Sequence, residues 1–330
     1  MEDIVMTFPR RRFLHLAAAA AALPAVSRTA SALDYPARPV RIIVGFPAGG
    51  TPDLFARLIA EWLSQRLGQS FVVENRPGAA TNIATELVVR SPPDGYTLLY
   101  VATPNMTNGT LYHNLSFNFL RDIAPVANVG GAPFVVVVNP AFPARTLPAF
   151  IAYAKAHPGM INITSTGTGN LTYMAAEYFK MLTGTDMVQV PARGEAAAQA
   201  DHIAGRVQVM FDPIPSSIGY LRAGTLRGLA VTSSQPAAVL PDLPPVGQFV
   251  PGYEVVGTTG IGAPKSTPSE IITKLNKEIN AGLDDPKLRA RLDALGSVTI
   301  TGSPAAFGNL LASETEKWAK VIKFAGIKSE

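Results

Sequence analysis

Short apolar runs alternate along the chain with longer stretches in which apolar residues recur every three or four positions. Short runs bounded by Gly or Pro are typical of buried strands, whereas the longer spacing is typical of amphipathic helices. The predicted strands are residues 40–44, 71–74, 96–102, 134–139, 161–164, 187–190, 207–211 and 226–231. Because helical stretches lie between most of them, the pattern predicts an α/β protein with largely parallel sheets.

The first predicted strand is followed by a glycine loop, residues 45–50, and then by a helix. Thr51 is predicted to cap the start of this helix, and Gly68 to end it. The loop therefore lies at a helix N-terminus, where unpaired N–H groups and the positive end of the helix dipole favour a carboxylate or phosphate. Gly49 and Gly50 have no Cβ, so a ligand can approach the backbone closely. A glycine pair alone also fits an ordinary strand-to-helix turn.

This unit and the chain beyond it carry a set of short motifs in a fixed order. The motifs are FPAGG at 46–50, LGQ at 67–69, VVENRPGA at 72–79, PDGYTLL at 93–99, YAKAHPG at 153–159, STGTGN at 165–170, AAEYFK at 175–180, VPARG at 190–194 and VQVMFD at 207–212. They closely resemble the Bug-type solute-binding proteins of tripartite tricarboxylate transporters. The resemblance covers nearly all of the chain after residue 32, and it implies two α/β lobes that close on a ligand between them.

Two extended runs that contain glycine, residues 130–133 and 255–260, are predicted to cross between the lobes. If the chain leaves the first lobe near Gly131 and returns near Gly257, that lobe is discontinuous. The predicted division places residues 33–131 and 258–330 in the first lobe and residues 132–257 in the second. The expected fold class is thus a two-lobed, type II-like periplasmic binding protein. Each lobe has a mainly parallel sheet flanked by helices, and the ligand cleft lies between the lobes.

The second lobe is predicted to repeat the strand–loop–helix unit, with residues 165–169 as the loop and residues 171–182 as a helix that ends at Gly184. Ligands lie at the carboxyl ends of parallel strands, so both loops are expected to face one cleft and to hold a carboxylate between them. The predicted ligand-binding residues are Phe46, Ala48, Gly49, Gly50, Thr51 and Thr103 from the first lobe, and Thr166, Gly167, Thr168, Ala192, Arg193 and Asp212 from the second.

Three of these side chains have alternative roles. Arg193 can form a bidentate pair with a second ligand carboxylate, or it can be a solvated surface residue. Thr103 can offer a hydroxyl to the ligand or simply end its strand. Asp212 can accept a hydrogen bond from the ligand, or it can cap a helix.

The resemblance also marks positions at which this chain departs from the family. Related sequences often have Tyr and Lys where this chain has Ala192 and Arg193, and often His where it has Tyr173. Loss of the ring at 192 widens the expected pocket, and an arginine favours a planar anion. A relative's substrate therefore does not transfer to this chain.

The N-terminus has the pattern of an export signal. The segment 10–14 reads RRRFL, an apolar run continues to about residue 26, and small residues at 30–32 suit cleavage near Ala32. The paired arginines are typical of a twin-arginine signal, and the apolar run is shorter than the roughly 20 residues that span a membrane. We therefore expect a periplasmic protein without a stable membrane anchor, and a monomer.

Composition narrows the function further. The whole chain has 28 basic and 24 acidic residues, of which four and two lie in the first 32, so the remainder is nearly balanced and nucleic acid is a poor candidate partner. The absence of cysteine excludes disulfides and thiolate chemistry, and the four histidines lack metal-ligand spacing. The chain lacks the Gly-x-Ser-x-Gly motif that would support a serine hydrolase. We expect no catalytic residue, no cofactor and no metal.

The leading hypothesis is an exported receptor that captures a small organic carboxylate and delivers it to the large and small subunits of a membrane transporter. The alternative is a protein with the same cleft that presents its ligand to a periplasmic sensor. A periplasmic serine hydrolase is the least favoured hypothesis.

Overall fold

The computed structural model describes residues 35–327. The predicted signal peptide and its cleavage site lie outside this range. The helices within it do not include one that is long and apolar enough to cross a membrane.

Residues 35–327 contain ten strands and eleven α-helices. The strands are β1 Val40–Val44, β2 Phe71–Asn75, β3 Thr97–Val101, β4 Ile123–Gly130, β5 Phe134–Val138, β6 Asn162–Ser165, β7 Val188–Pro191, β8 Val209–Pro213, β9 Arg227–Val231 and β10 Thr259–Pro264. The helices are α1 Thr51–Leu67, α2 Asn82–Val89, α3 Thr103–Leu111, α4 Phe119–Asp122, α5 Leu147–Ala156, α6 Leu171–Thr183, α7 Glu195–Ile203, α8 Ile214–Arg222, α9 Ser269–Asp284, α10 Pro286–Ala294 and α11 Pro304–Ala325.

The strands form two five-stranded sheets with the same internal arrangement. Their orders are β2-β1-β3-β10-β4 and β7-β6-β8-β5-β9. In the first sheet β10 is antiparallel to both neighbours, and in the second sheet β5 is antiparallel to both neighbours. Four strands of each sheet therefore run in one direction, and the fourth in order is reversed. The prediction of an α/β fold with mainly parallel sheets is confirmed, although the pattern did not reveal the reversed strands.

The two reversed strands are those that follow the passages of the chain between the sheets. The passages touch each other, since the N–H of Gly257 donates a 3.0 Å hydrogen bond to the carbonyl of Ala132. A Cβ added to Gly131 would lie 1.4 Å from the carbonyl oxygen of Gly257, so only glycine fits there. The passages fall within the predicted crossing runs, while the division into lobes at residues 131 and 257 stays a prediction.

Each sheet has its own apolar core, and helix α11 contributes to both. Phe307 and Leu311, near its start, pack with Leu99 and other residues of the first sheet. Trp318 and Ile322, farther along, pack with the core of the second sheet. A helix with apolar residues on one face buries that face wherever a complementary core is available. The last helix therefore packs against the cores of both sheets.

The ends of the predicted helices are correct in most cases. Helices α1 and α6 end at Gly68 and Gly184, whose φ values of +70° and +65° are left-handed. The predicted start of α1 is wrong, because Gly50 is the N-cap and Thr51 is the first helical residue. The hydroxyl of Thr51 bonds to a distant residue, Glu195, and does not cap its own helix.

Candidate functional site

A cavity of about 720 Å³ lies between the two sheets. Its walls are the loops that follow six strands, three from each sheet: β1, β2 and β3 from the first, and β6, β7 and β8 from the second. These strands are mutually parallel within each sheet, so their carboxyl ends meet at one edge, which is where ligands bind in such folds. The cavity is therefore the candidate functional site.

Six helices begin at, or directly after, residues that line this cavity. They are α1, α2 and α3 beside the first sheet, and α6, α7 and α8 beside the second. The first turn of a helix has N–H groups without helical partners, and its dipole places partial positive charge there. Six such ends around one cavity favour an anion. Sequence reasoning had found two of the six, those of α1 and α6.

The N-terminus of α1 already holds a carboxylate of the protein itself. The backbone N–H of Thr51 donates to Oε2 of Glu195 at 2.8 Å, and the Thr51 hydroxyl donates to Oε1 at 3.2 Å. Ser216 of α8 donates to the same Oε1 at 2.9 Å. Sequence reasoning missed Glu195, because a carboxylate at the start of a helix is usually taken as a partner of its own helix dipole.

The glycine loop before α1 is held by hydrogen bonds to its own lobe. The N–H of Gly49 donates to Oδ2 of Asp53 at 3.0 Å, and Arg57 donates to the same oxygen at 2.9 Å. Asn75 at the end of β2 donates to both Oδ1 of Asp53 and the carbonyl of Phe46 at 3.0 Å. Burial alone raises the pKa of Asp53, but these donors together hold it below the ordinary value. The loop is thus fixed in shape before any ligand binds.

A second cavity loop, which follows β2, has an unusual backbone. Ala79, Ala80 and Thr81 have φ values of +45°, +47° and +72°, and left-handed residues other than glycine are rare. Asn108 of α3 supports this loop by donating to the carbonyl of Ala80 at 2.6 Å. Strain of this kind is concentrated at binding and catalytic sites. Sequence reasoning missed this loop, although its place after a parallel strand pointed to the cavity.

Two buried hydroxyl groups at the cavity remain without partners among the described residues. One is the Thr81 hydroxyl in the strained loop. The other is the hydroxyl of Tyr100, which lies beside Thr259 but makes no hydrogen bond of normal length and angle. Burial raises the pKa of Tyr100, and the nearby charge of Glu195 adds to the shift, so the phenol stays protonated. Both are hydrogen-bonding groups that the described residues leave unused.

Asp212 stands behind Glu195 and does not line the cavity. Its side chain is completely buried, accepts a 3.0 Å hydrogen bond from Gln199, and lies 3.3 Å from the Ser216 hydroxyl. Burial, and then the charge of Glu195, raise the pKa of Asp212 far above its ordinary value. A protonated Asp212 avoids a buried negative charge next to Glu195.

The structure brings eight of the twelve predicted ligand-binding residues to the cavity wall, namely Phe46, Ala48, Gly49, Gly50, Thr51, Thr103, Thr166 and Arg193. Four do not line it: Gly167, Thr168, Ala192 and Asp212. Ala192 packs against the apolar cluster of β5 and β8, and Tyr173 packs against the core of the second sheet. Which of these residues contact a ligand stays a prediction.

Metal-ligating side chains are not assembled at this site. Over residues 35–327, no group of three or more His, Asp or Glu side chains lies close enough together to hold a metal ion. The polar groups of the described residues around the cavity are backbone N–H groups, hydroxyls, the amides of Asn170 and Gln199, one arginine and one glutamate. This set is suited to holding an anion by hydrogen bonds.

Comparison with known proteins gives a consistent result. The model of the tripartite tricarboxylate transporter family receptor matches residues 55–327. Protein BugT of Bordetella pertussis is 33% identical over 306 residues, which cover 92% of this chain and 94% of BugT. The solved structure of R. palustris Rpa4515 with adipate has a TM-score of 0.85 at 35% identity, and the match covers 89% of this chain and 99% of that one.

A second solved structure is similar over almost the same range. MatC (Rpa3494) from Rhodopseudomonas palustris, with bound malate, has a TM-score of 0.81 at 30% identity and covers 87% of this chain and 100% of its own. The family match spans most of the chain, and relatives above 30% identity cover more than two thirds of it. The chain therefore belongs to the Bug-type receptors of the tripartite tricarboxylate transporter family.

Proposed function

We propose that this chain is a periplasmic solute-binding receptor that captures a small carboxylate-bearing metabolite in the cavity between its sheets. It delivers this ligand to the large and small membrane subunits of a tripartite tricarboxylate-type transporter. The observation that carries the proposal is the convergence of six helix N-termini on one cavity. The proteins of this family are periplasmic receptors, and its structural neighbours include binding proteins with adipate and malate.

The available groups are sufficient for useful affinity. Hydrogen bonds to a charged group contribute about 1.5 to 3 kcal/mol each. A micromolar dissociation constant needs about 8 kcal/mol after the costs of association. Three or four such bonds from helix ends and hydroxyls, together with packing of the ligand body on apolar walls, reach that value without a metal or cofactor.

Arg193 is the cation that we assign to the ligand carboxylate. It lines the cavity and makes no ion pair with any described residue. Its guanidinium can meet a carboxylate with two parallel hydrogen bonds. The backbone ends of the helices and this side chain act together, because each places positive charge on the same cavity.

Export by the twin-arginine route, cleavage near Ala32 and a monomeric state are further parts of the proposal. They are checked by the intact mass of the protein recovered from the periplasm and by its mass under native conditions. A mature chain that starts near residue 33 and migrates as one copy is the expected result. Retention of the first 32 residues in the periplasmic protein would contradict the export part alone.

The binding function is tested by thermal shift and titration calorimetry on the mature protein. At least one mono-, di- or tricarboxylate is expected to raise the melting temperature with increasing concentration, whereas its neutral amide does not. Arg193→Gln is expected to raise the dissociation constant of that ligand about tenfold. Arg222→Gln is the matched control, since Arg222 is also exposed but does not line the cavity. Equal stabilisation by amides or neutral sugars would refute a carboxylate site.

Transport is tested in cells that contain the membrane subunits. Deletion of the receptor is expected to abolish uptake of the labelled ligand, and plasmid-borne receptor to restore it. Full uptake without the receptor, combined with tight binding in solution, would assign the protein to ligand presentation for a sensor.

A further inference from the structure

The six helix N-termini at the cavity fall into two groups. In the first group, α1, α7 and α8 meet at one carboxylate. Glu195 is the first residue of α7, and it accepts hydrogen bonds from Thr51 at the start of α1 and from Ser216 in the first turn of α8. Three positive helix ends therefore share one negative charge that belongs to the protein.

The second group consists of the starts of α2, α3 and α6, and it has no such anion among the described residues. Asn108 of α3 bonds to the carbonyl of Ala80 before α2, and Thr107 of α3 donates to the carbonyl of Gly169 before α6 at 3.0 Å. The partnerless hydroxyl of Thr81 lies in this group. Among the described residues, these three helix starts therefore lack the anionic partner that the first group has.

The charged side chains on the cavity wall also favour a ligand with a single negative charge. Among the described lining residues, Arg193 is the cationic side chain and Glu195 is the anionic one. A second ligand carboxylate would face the negative charge of Glu195 and would find no second cation among the described lining residues.

The rest of the wall is suited to an apolar ligand body. Large apolar side chains line the cavity from both sheets, namely Phe46, Leu54, Phe55, Phe134 and Leu171. Pockets of this volume with apolar walls and a few polar groups bind ligands by burying most of their surface.

We propose that Glu195 is a resident anion that occupies half of the anion-binding capacity of the cavity and makes this receptor selective for monocarboxylates with an apolar body over dicarboxylates. The ligand carboxylate uses Arg193 together with the helix starts that Glu195 does not occupy, so no cation among the described wall residues remains for a second carboxylate. The proposal rests on the proposed function as a carboxylate receptor, and it adds the class of carboxylate and the residue that decides it.

The test compares a monoacid with a diacid of the same chain length or the same ring. Titration calorimetry measures dissociation constants of the wild type and Glu195→Gln for butyrate and succinate, hexanoate and adipate, and benzoate and terephthalate. For at least one pair, the wild type is expected to bind the monoacid at least tenfold more tightly. In Glu195→Gln the diacid is expected to bind more tightly, so the ratio of the dissociation constant of the diacid to that of the monoacid falls at least tenfold.

The matched control is Asp201→Asn, which neutralises another carboxylate of α7. Asp201 pairs with Arg206 away from the cavity, so this change is expected to leave the ratio unaltered. Glu195→Ala, which also removes the charge, replaces the glutamine variant if that variant does not fold by circular dichroism.

Two results overturn the selectivity proposal alone. One is a diacid that binds the wild type as tightly as its monoacid, and the other is a ratio that neither Glu195 variant changes. Neither result contradicts the proposed function as a carboxylate receptor. If none of the six acids binds while neutral solutes do, the proposed function and the selectivity proposal fail together.

Discussion

The backbone N–H of Thr51 donates a 2.8 Å hydrogen bond to Oε2 of Glu195, across the cavity between the two sheets. The helix that begins at Thr51 packs on the first sheet, and the helix that begins at Glu195 follows a strand of the second. The bond thus joins the two halves of the site at the place where a ligand carboxylate was expected. It shows that this helix end binds a carboxylate, since it already holds one.

We predict that Asp212 makes the protein progressively less stable as pH rises from about 4 to about 8. Its pKa is raised in the folded state, so the folded protein keeps a proton that the unfolded chain releases above about pH 4. The stabilisation is complete below that value and is lost as pH rises towards the folded-state pKa. Asp212→Asn lacks this loss. In urea unfolding between pH 4 and 9, the free energy of unfolding of the variant is expected to rise relative to that of the wild type by up to about 1.4 kcal/mol per pH unit. Parallel pH curves for the two proteins would contradict this prediction.

Glu195→Gln is predicted to weaken that pH dependence without removing it. Burial is the first cause of the raised pKa of Asp212, and the charge of Glu195 is the second. Removal of that charge lowers the pKa of Asp212, so the loss of stability with rising pH ends at a lower pH. The same urea series measures this effect, with Asp201→Asn as control. The same pH dependence in Glu195→Gln and the wild type would show that the two carboxyl groups are not coupled.

We predict that His202 destabilises the protein in acid. The side chain is completely buried, and burial lowers the pKa of His202 to about 4. As pH falls below about 6.5, His202 becomes protonated in the unfolded chain but stays neutral in the folded protein. The free energy of unfolding therefore falls by about 3 kcal/mol between pH 6.5 and 4. His202→Leu is expected to remove this part of the acid dependence in urea unfolding. His157→Gln, at an exposed position, serves as control and is expected to leave it in place.

We predict that Gly131→Ala is severely destabilising and that Gly257→Ala is tolerated. The added Cβ at 131 would lie 1.4 Å from a carbonyl oxygen, whereas the Cβ at 257 would lie 3.3 Å from its nearest neighbour. The first clash requires movement of the backbone in both passages between the sheets, at a cost of about 3 kcal/mol or more, and the second costs about 1 kcal/mol or less. Thermal unfolding measures both. Equal losses for the two variants would contradict the close approach.

We predict that Tyr100→Phe does not destabilise the ligand-free protein, whereas Tyr253→Phe does. Both tyrosines are 2% exposed, but Tyr253 donates a 3.0 Å hydrogen bond to the carbonyl of Ala175, and Tyr100 makes no such bond. Loss of a satisfied buried hydroxyl costs about 1 kcal/mol, while loss of an unsatisfied one is neutral or stabilising. Urea unfolding separates the two cases. A loss of about 1 kcal/mol in Tyr100→Phe would mean that its hydroxyl has a partner within the protein.

Local pattern was sufficient for much of the fold. Apolar runs located eight of the ten strands found in residues 35–327, and glycines at 68 and 184 marked the ends of two helices. The remaining strands, β4 and β10, were missed because Pro125 interrupts the first and Gly260 and Gly262 dilute the second. These residues are unfavourable in isolated strands, and the neighbouring strands of the sheet compensate for them.

The candidate site was predictable only in part, for a related reason. The loops before α1 and α6 follow clear strand signals, so their place at the carboxyl ends of parallel strands could be inferred. The left-handed run Ala79–Thr81 contains no glycine, and its backbone is maintained by Asn108 from another helix. A conformation that depends on a distant side chain leaves no local trace in the sequence.

By itself, then, the sequence determined the α/β class, most strands and helix ends, the resemblance to the family and two of the six helix N-termini at the cavity. The tertiary structure alone decided that a strand in each sheet is reversed, that six helix ends converge, and that Glu195 occupies one of them from 144 residues away. Strand and helix signals arise from contacts within a few residues, which the order of amino acids records directly. The charge balance of the cavity arises where loops from two separately formed sheets meet, and chain order does not encode that proximity.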